Sequence, residues 1–436
     1  MKEQYSVDLI NFIQESPSPY HAIDSIKKKL HEQGFVELRE HMTWEIKPKG
    51  KYYVTRNDSS IIAFDLGEDD LNYSFNIVAS HSDAPTLKVK PNYELVKENS
   101  YVQINVEPYG GAILNTWLDR PLTLAGRVIV KEGNRFVTKL CHLKDDILVI
   151  PNLAIHMNRE VNQGAKLNPQ NHLLPILMQG TEEQVLEKRI AKQLKLAEET
   201  ICRFDLSLVP AESGFLWGAQ KEFISSYHLD DLQCAYTSLV AFLNSHSKKS
   251  INVYVCFDNE EVGSTTKQGA ASPFLIDTLA KIVESLDSKK SLPEMLSSSV
   301  LVSADNAHAA HPNYPEKNDP LNKTVINQGI VVKYNANQRY TTDALSASLF
   351  EHYCTKAGVA TQNYTNRNDI VGGSTLGNIS SHHVAIMSVD IGLPQFAMHS
   401  TLETAGTGDT EDMIKALTEF YNSHIMKNEQ GEIEVV

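Results

Sequence analysis

The sequence predicts an α/β protein whose mixed β-sheet, flanked by helices, is interrupted by a β-rich insert. Apolar runs alternate with stretches of helical spacing early in the chain and again from Asp230 onward, as expected for a sheet covered by helices. Between these parts, short β-like runs such as Tyr101–Val106 are separated by turn residues. The intervening part is about 130 residues long, which suits one small domain.

Individual elements follow from local patterns. Residues 5–33 predict two helices separated by Ser16–Pro19, because the proline-containing segment interrupts the apolar spacing. Residues 181–199 predict a charged helix, and residues 204–209 predict a return to strand structure.

The boundaries of the insert are inferred from two changes of pattern. The character of the chain changes after Pro91, and the alternation of helix and strand resumes near Asp230. We therefore expect a discontinuous catalytic domain, formed by residues 1–92 and 225–436, with the insert spanning residues 93–224.

Bulk properties exclude some functions. The 436 residues carry a net charge of −14, which argues against binding nucleic acid or an anionic membrane surface. The start lacks an apolar core, so we expect no signal peptide, and we expect no membrane-spanning segment. Five scattered cysteines without a C-x-x-C pair suit a reduced cytoplasm.

Two adjacent glutamates are the most informative feature. Glu260 and Glu261 lie just beyond a predicted strand over Ile251–Phe257, and open α/β sheets bind ligands beyond the carboxyl ends of their strands. Neighbouring side chains point in different directions, so one carboxylate could hold a metal while the other moves a proton. On this segment alone, a solvated acidic turn is the ordinary alternative.

Four further residues occupy similar places. His81, Asp305 and His399 each follow an apolar run. Asp230 precedes a run with the i, i+3, i+4, i+7 spacing of an amphipathic helix. Each has an ordinary explanation when taken alone, such as a helix N-cap for Asp230 or a turn for Asp305. Because all of them fall at strand ends or a helix start, we expect one cluster that includes Glu261.

The residue types of this cluster predict metal-assisted hydrolysis. Two imidazoles and three carboxylates suit one or two Zn²⁺ ions, and would also accept Co²⁺ or Mn²⁺. Two such ions about 3.5–4 Å apart repel each other, and a bridging carboxylate with a bridging hydroxide offsets the repulsion. Glu260 would take a proton from the attacking water and later protonate the leaving amine.

Asp83 has two interpretations. It follows His81 by two residues, a spacing that places both on one face of a strand, so its carboxylate could orient the imidazole. The alternative is a turn over 82–85 in which Asp83 accepts hydrogen bonds from backbone N–H groups. The residues alone leave both open.

Longer motifs surround these residues, namely His81-Ser-Asp83-Ala-Pro85, Asp258-Asn-Glu-Glu-Val-Gly-Ser264, Ser303-Ala-Asp-Asn-Ala-His308 and Met398-His399-Ser400. They resemble the signatures of the aspartyl aminopeptidase family of dinuclear zinc metallopeptidases. The resemblance spans nearly the whole chain, insert included. It implies removal of N-terminal residues from peptides, two Zn²⁺ per subunit, and a homo-oligomer, commonly a tetrahedral dodecamer assembled through the insert.

The resemblance also implies roles for individual residues. His81 and Asp305 would hold one zinc, Glu261 and His399 the other, and Asp230 would bridge the two. Glu260 would be the general base.

A further implied residue is His156, in the insert, which would reach the active site of a neighbouring subunit. The chain departs from the family at one point, reading His228-Leu-Asp-Asp231 where Arg-Leu-Asp-Asn is frequent. This departure puts the charge balance around Asp230 in doubt.

Substrate preference is left open between acidic and neutral N-terminal residues. Lys333 matches a family position tied to recognition of an acidic side chain, and a local cation would be needed in a protein of this net charge. The alternative is a strand lysine that faces solvent.

Two other functions remain consistent with the residues alone. Another dinuclear amidohydrolase, such as a carboxypeptidase or deacylase, would use the same ligands, and hydrolysis of N-blocked substrates would favour it. A non-catalytic scaffold that retained the fold would not need Glu260, and unchanged activity after Glu260→Gln would favour that interpretation.

Overall fold

The computed structural model describes residues 2–67, 74–145, 147–164, 166–246, 249–286 and 290–436. Its mixed sheets and helices confirm the predicted α/β class.

A large mixed sheet forms the centre of the molecule. Among the described residues it has nine strands, in the spatial order Val36–Leu38, Lys51–Arg56, Ser60–Asp65, Ile251–Phe257, Phe75–His81, Val300–Ala304, Met387–Gly392, Ile330–Tyr334 and Thr361–Thr365. The four central strands run parallel, and Phe257 pairs with His81. Their carboxyl ends therefore lie at one edge of the sheet.

Helices cover both faces of the large sheet. Apolar residues on one face pack against the helices Lys2–Glu15, Pro19–Glu32, Leu229–Asn244, Ala344–Ala357 and Thr407–Asn422. The other face packs against Phe274–Ser285, Leu292–Ser297 and Leu376–Ser380. The predicted pair of N-terminal helices is confirmed, and Ser18 caps the second, whose first residue is Pro19.

A second, antiparallel sheet lies in the segment predicted as the insert. Its strands among the described residues are, in spatial order, Arg135–His142, Leu122–Glu132, Ile201–Pro210, Thr86–Lys97, Tyr101–Tyr109 and Ile176–Gln179. The charged helix spans Val185–Leu194, and a short helix spans Pro169–His172. We call this the small sheet.

The small sheet begins earlier than the change of pattern at Pro91. Its strand Thr86–Lys97 runs through this proline, and the pairing register shifts between Val89 and Glu94. Proline lacks an N–H group, so a strand tolerates it at such an irregularity. The division into domains stays a prediction.

Short strands complete the fold. A third sheet contains Phe215–Trp217, Phe223–Ser226, Glu403–Gly406, Pro394–Phe396 and Ala307–His308, and a terminal hairpin contains Ile425–Lys427 and Ile433–Val435. No helix in the described part of the chain has the length and apolar character needed to cross a membrane.

The second helix joins the large and small sheets. The Arg127 guanidinium lies 4.4 Å from the centre of the Tyr20 ring, and its Nε donates to Asp205 Oδ2 at 2.8 Å. Beside them the rings of His21 and His142 meet edge to face, with centroids 6.1 Å apart. Burial lowers the pKa of both histidines to about 4.

The lowered pKa values of His21 and His142 predict that the protein loses stability in mild acid. An unfolded histidine has a pKa of about 6.5, so the unfolded chain binds more protons between pH 6.5 and pH 4, and folding weakens as the pH falls through this window. When the pH falls from 7 to 5, the unfolding free energy of the parent should decrease. The decrease should be about 1–2 kcal/mol smaller in His21→Gln. Urea unfolding of the metal-free proteins measures this, with the exposed His246→Gln as control. An identical pH dependence of His21→Gln and parent would contradict it.

Candidate metal centre and active site

Strand register brings His81, the glutamate pair and Asp305 to one edge of the large sheet. His81 ends its strand directly beside Phe257, and the turn Glu260–Val262 follows Phe257 by three residues. Asp305 follows the neighbouring strand and donates its N–H to Ile391 O at 3.0 Å. The alternation of apolar residues thus predicts both strands and the edge where their polar successors meet.

Five side chains form two adjoining groups. In the first, His81 Nε2 lies 3.5 Å from Asp230 Oδ1 and 3.8 Å from Asp305 Oδ1. In the second, His399 Nε2 lies 3.3 Å from both Asp230 Oδ2 and Glu261 Oε1. Asp230 therefore presents one carboxylate oxygen to each group, which is the arrangement that a bridging ligand requires.

The distances suit ions lying between the donors. Two ligands about 2.0–2.2 Å from a tetrahedral zinc stand about 3.3–3.6 Å apart, which is longer than an ordinary hydrogen bond. Among the described residues, Asp230 Oδ1 and Glu261 Oε1 are buried without a hydrogen-bond partner. Burial and the neighbouring carboxylates raise the pKa of Glu261 well above its usual range. The donor set therefore fits two divalent cations.

Glu260 stands beside the first group. Its carboxylate lies in a cluster with His81 and Glu261 and borders the open cavity. Burial, opposed by His81 and reinforced by neighbouring carboxylates, raises its pKa to about 8. Its place beside the first group and at the cavity wall suits the acceptance and return of a proton.

Asp83 combines the two alternatives offered by the sequence. The His81 Nδ1 lies 3.0 Å from the main-chain oxygen of Asp83 and 3.4 Å from its carboxylate, so the main chain is the nearer acceptor. The carboxylate accepts hydrogen bonds from the N–H groups of Glu260 and Glu261, at 3.1 and 3.2 Å. These donors come from the glutamate turn, whereas the sequence suggested only the local turn 82–85.

Glu403 is a site residue that the sequence analysis missed. Its Oε2 accepts from the N–H of Asp230 at 3.0 Å, and its Oε1 accepts from the N–H of His399 at 2.7 Å. The buried carboxylate therefore fixes the main chain at Asp230 and His399, two of the three residues of the second group. Its position four residues after His399 was the available signal, but that spacing has many ordinary explanations.

At residues 228–231 the chain has a histidine where the family frequently has a positively charged arginine, so the local charge differs from the family pattern. Burial lowers the pKa of His228 to about 4, so this imidazole is neutral at neutral pH, and burial raises the pKa of Asp231 well above its usual range. Asp231 Oδ2 accepts from the N–H of His81 at 3.1 Å. The helix N-cap explanation of Asp230 does not apply, because its two carboxylate oxygens face the His81 and His399 rings.

A cavity of about 420 Å³ opens over the two groups. Its walls away from the clustered carboxylates include Lys333, Tyr340, Tyr364, His308 and Met398. This volume accommodates one amino-acid side chain with its backbone.

Lys333 faces the interior, so the alternative of a solvent-facing lysine is wrong. Its side chain is 4% exposed, and Nζ lies 3.3 Å from Asp305 Oδ2 and donates to Asn306 O at 2.9 Å. The Asp305 carboxylate, acting against burial, raises the pKa of Lys333. The cation therefore lines the cavity while contacting one residue of the first group.

His156 lies apart from the cavity in this single chain. It is exposed on the loop that carries Leu153, Ile155 and Met157, whose exposed fractions are 53%, 48% and 74%. A cluster of exposed apolar side chains is typical of a surface that meets a partner.

Comparison with known proteins points to one family. The model of the M18 family, described as aminopeptidase I zinc metalloprotease, matches residues 12–421. A probable M18 family aminopeptidase 2 of Clostridium acetobutylicum is 47% identical over 96% of this chain and 99% of its own length. Its counterpart in Pseudomonas fluorescens is 41% identical over 97% and 99%.

Solved structures share the fold. A chain of the Ape4 and Nbr1 complex superposes with a TM-score of 0.91 at 35% identity, over 96% of this chain and 86% of that chain. An M18 family aminopeptidase from Thermotoga maritima gives 0.84 at 25% identity, covering 97% and 96%. The S. cerevisiae mApe1 dodecamer gives 0.83 at 25% identity, covering 95% and 96%.

Proposed function

Because the chain belongs to the M18 family of zinc metallopeptidases, we propose that its two adjoining groups of side chains hold the two zinc ions of an aminopeptidase. The family is that of metal-dependent aminopeptidases, which answers the choice between amino- and carboxyl-terminal cleavage that the ligands left open. The observation that supports the assignment most strongly is the orientation of the Asp230 carboxylate, which faces His81 with one oxygen and His399 with the other.

The proposed roles follow from position. His81 and Asp305 serve one ion, Glu261 and His399 the other, and Asp230 both. Bound zinc would supply Lewis acidity toward the peptide carbonyl and the attacking water.

Proton transfer falls to Glu260. Its carboxylate accepts a proton from the attacking water as the new C–O bond forms, and returns it to the nitrogen as the C–N bond breaks. The Asp83 carboxylate holds the Glu260 main chain so that the side chain stays above the cluster. Both atoms and charge balance, because the proton removed from water leaves with the amine.

We also propose that the cavity selects an acidic N-terminal residue through Lys333. Lys333 is a buried cation on a wall that otherwise carries aromatic rings and neutral polar groups beside the carboxylates. A buried ammonium interacts strongly with a carboxylate because little water screens it. Its contact with Asp305 is the competing role, in which Lys333 only positions that residue.

A homo-oligomer is supported by the family, and we propose the tetrahedral dodecamer as its form. The mApe1 neighbour was solved as a dodecamer. The exposed apolar loop around His156 supplies a surface for such contacts, and we propose that His156 reaches a neighbouring active site from it. The cytoplasmic location stays a prediction from the cysteine pattern.

Replacing the general base should remove catalysis and leave the metals in place. Glu260→Gln should lower kcat by about 10²–10⁴-fold, because the amide cannot accept the proton. Elemental analysis should find the parent zinc content. The surface change Glu284→Gln is the matched control. A variant that hydrolyses peptides as fast as the parent would show that another residue moves the proton.

Removing the pocket cation should change selectivity. At saturating zinc, Lys333→Met should lower kcat/KM on Asp- and Glu-terminated substrates about 10–100-fold more than on a Leu-terminated one, the range expected for a charged hydrogen bond. Lys317→Met, which removes a cation from the adjacent cleft, is the control. An equal loss on all three substrates would assign Lys333 to positioning Asp305 alone.

Assembly should be visible in solution. A dodecamer of 48.7 kDa subunits has a mass of about 580 kDa, which sedimentation measures. In a variant that still assembles to this mass, His156→Ala should lower kcat/KM, because the imidazole from the neighbouring subunit is lost. The surface change His352→Ala should leave kcat/KM unchanged. A monomeric but fully active parent would contradict both proposals.

A further inference from the structure

One short segment of the small sheet crosses over the metal centre. The strand Tyr101–Tyr109 ends beside Asp83, and the following residues run to the turn Leu114–Trp117. We call residues 109–113 the strap. The strap is not among the residues that the sequence or the family match assigned to the site.

The first contact of the strap is made by a phenol. Tyr109 Oη donates to Asp83 Oδ2 at 2.6 Å and accepts from Asn259 Nδ2 at 2.8 Å. This Asp83 oxygen is the one that also accepts from the N–H of Glu261. Tyr109 therefore fixes the carboxylate that holds the glutamate turn.

The second contact is made by main chain. His399 Nδ1 lies 3.1 Å from Gly111 O, and the N–H of Ile113 donates to His399 O at 3.0 Å. A carbonyl only accepts, so Nδ1 carries the proton of the neutral ring. The lone pair is then on Nε2, which faces Asp230 and Glu261.

The strap lies close because it contains glycines. A Cβ at Gly110, whose φ is +70°, would stand 3.1 Å from Glu261 Cβ, and one at Gly111 would stand 3.4 Å from His399 Nδ1. A side chain at Gly110 would press against Glu261, whereas a Cβ at Gly111 would reach ordinary contact with His399.

Contacts beyond the strap hold the segment that follows His399. Thr401 N donates to Thr116 Oγ1 at 3.2 Å, and Thr401 Oγ1 donates to Thr116 O at 2.8 Å. Arg120 Nη1 donates to Thr401 O at 3.3 Å. The segment that carries His399 is therefore hydrogen-bonded at several points to the connection between two strands of the small sheet.

We propose that the strap is a positioning element for the metal centre, with Tyr109 as its positioning residue. It sets the Asp83 carboxylate on one side and the tautomer of His399 on the other. The small sheet thereby completes the site of its own chain. This inference rests on the proposed two-zinc function.

The test measures zinc affinity directly. Tyr109→Phe removes only the hydroxyl, and should weaken zinc binding about 10–100-fold in competition with a chelator, the range for loss of a group that supports a ligand. The melting temperature of the metal-free protein should stay near that of the parent. At saturating zinc, kcat should fall with KM unchanged. Tyr101→Phe, on the same strand and partly exposed, is the matched control.

A pair of glycine variants tests the main-chain contact. Gly110→Ala should weaken zinc binding, because its Cβ meets Glu261. Gly133→Ala introduces a similar positive-φ strain, at +64°, with no atom within 4 Å, and should leave zinc affinity unchanged. Parent-like zinc affinity in both Tyr109→Phe and Gly110→Ala would overturn the inference. Failure of the parent itself to bind zinc would instead overturn the two-zinc function.

Discussion

The site depends on the crowding of carboxylates away from water. Asp230 and Glu261 are almost fully buried, and Glu260 and Asp305 stand beside them. Such a cluster is unfavourable alone, as the raised pKa values of Glu260 and Glu261 indicate. Two dications would offset this repulsion, so the metals stabilise the arrangement that binds them. Lys333 contributes a permanent positive charge beside Asp305.

Two further carboxylates accept hydrogen bonds from the backbone N–H groups of the clustered residues, not from their side chains. Asp83 accepts from the glutamate turn, and Glu403 accepts from Asp230 and His399. Main-chain contacts leave the side-chain oxygens and ring nitrogens free for ions. The strap adds the small sheet to the same scheme. The centre is therefore fixed by hydrogen bonds from all three larger sheets.

The sequence predicted those elements whose apolar residues recur at a regular spacing within one segment of the chain. Apolar alternation predicted the strands before His81, Glu260 and Asp305, and parallel strands bring their ends together for a geometric reason. Glu403 and Tyr109 were not predicted, because each acts on a segment far away in the chain and no local pattern encodes such a contact. The third sheet was missed for a related reason, since strands of two to four residues are too short to show a period.

The wide spacing of the clustered residues has a consequence for biosynthesis. His81 precedes His399 by more than 300 residues, and Glu403 follows still later. A ribosome releases the chain from its amino end, so the early part folds while the last ligand is still being translated. Metal uptake at the second group must then await translation of His399, and until that point the nascent chain carries no complete metal centre.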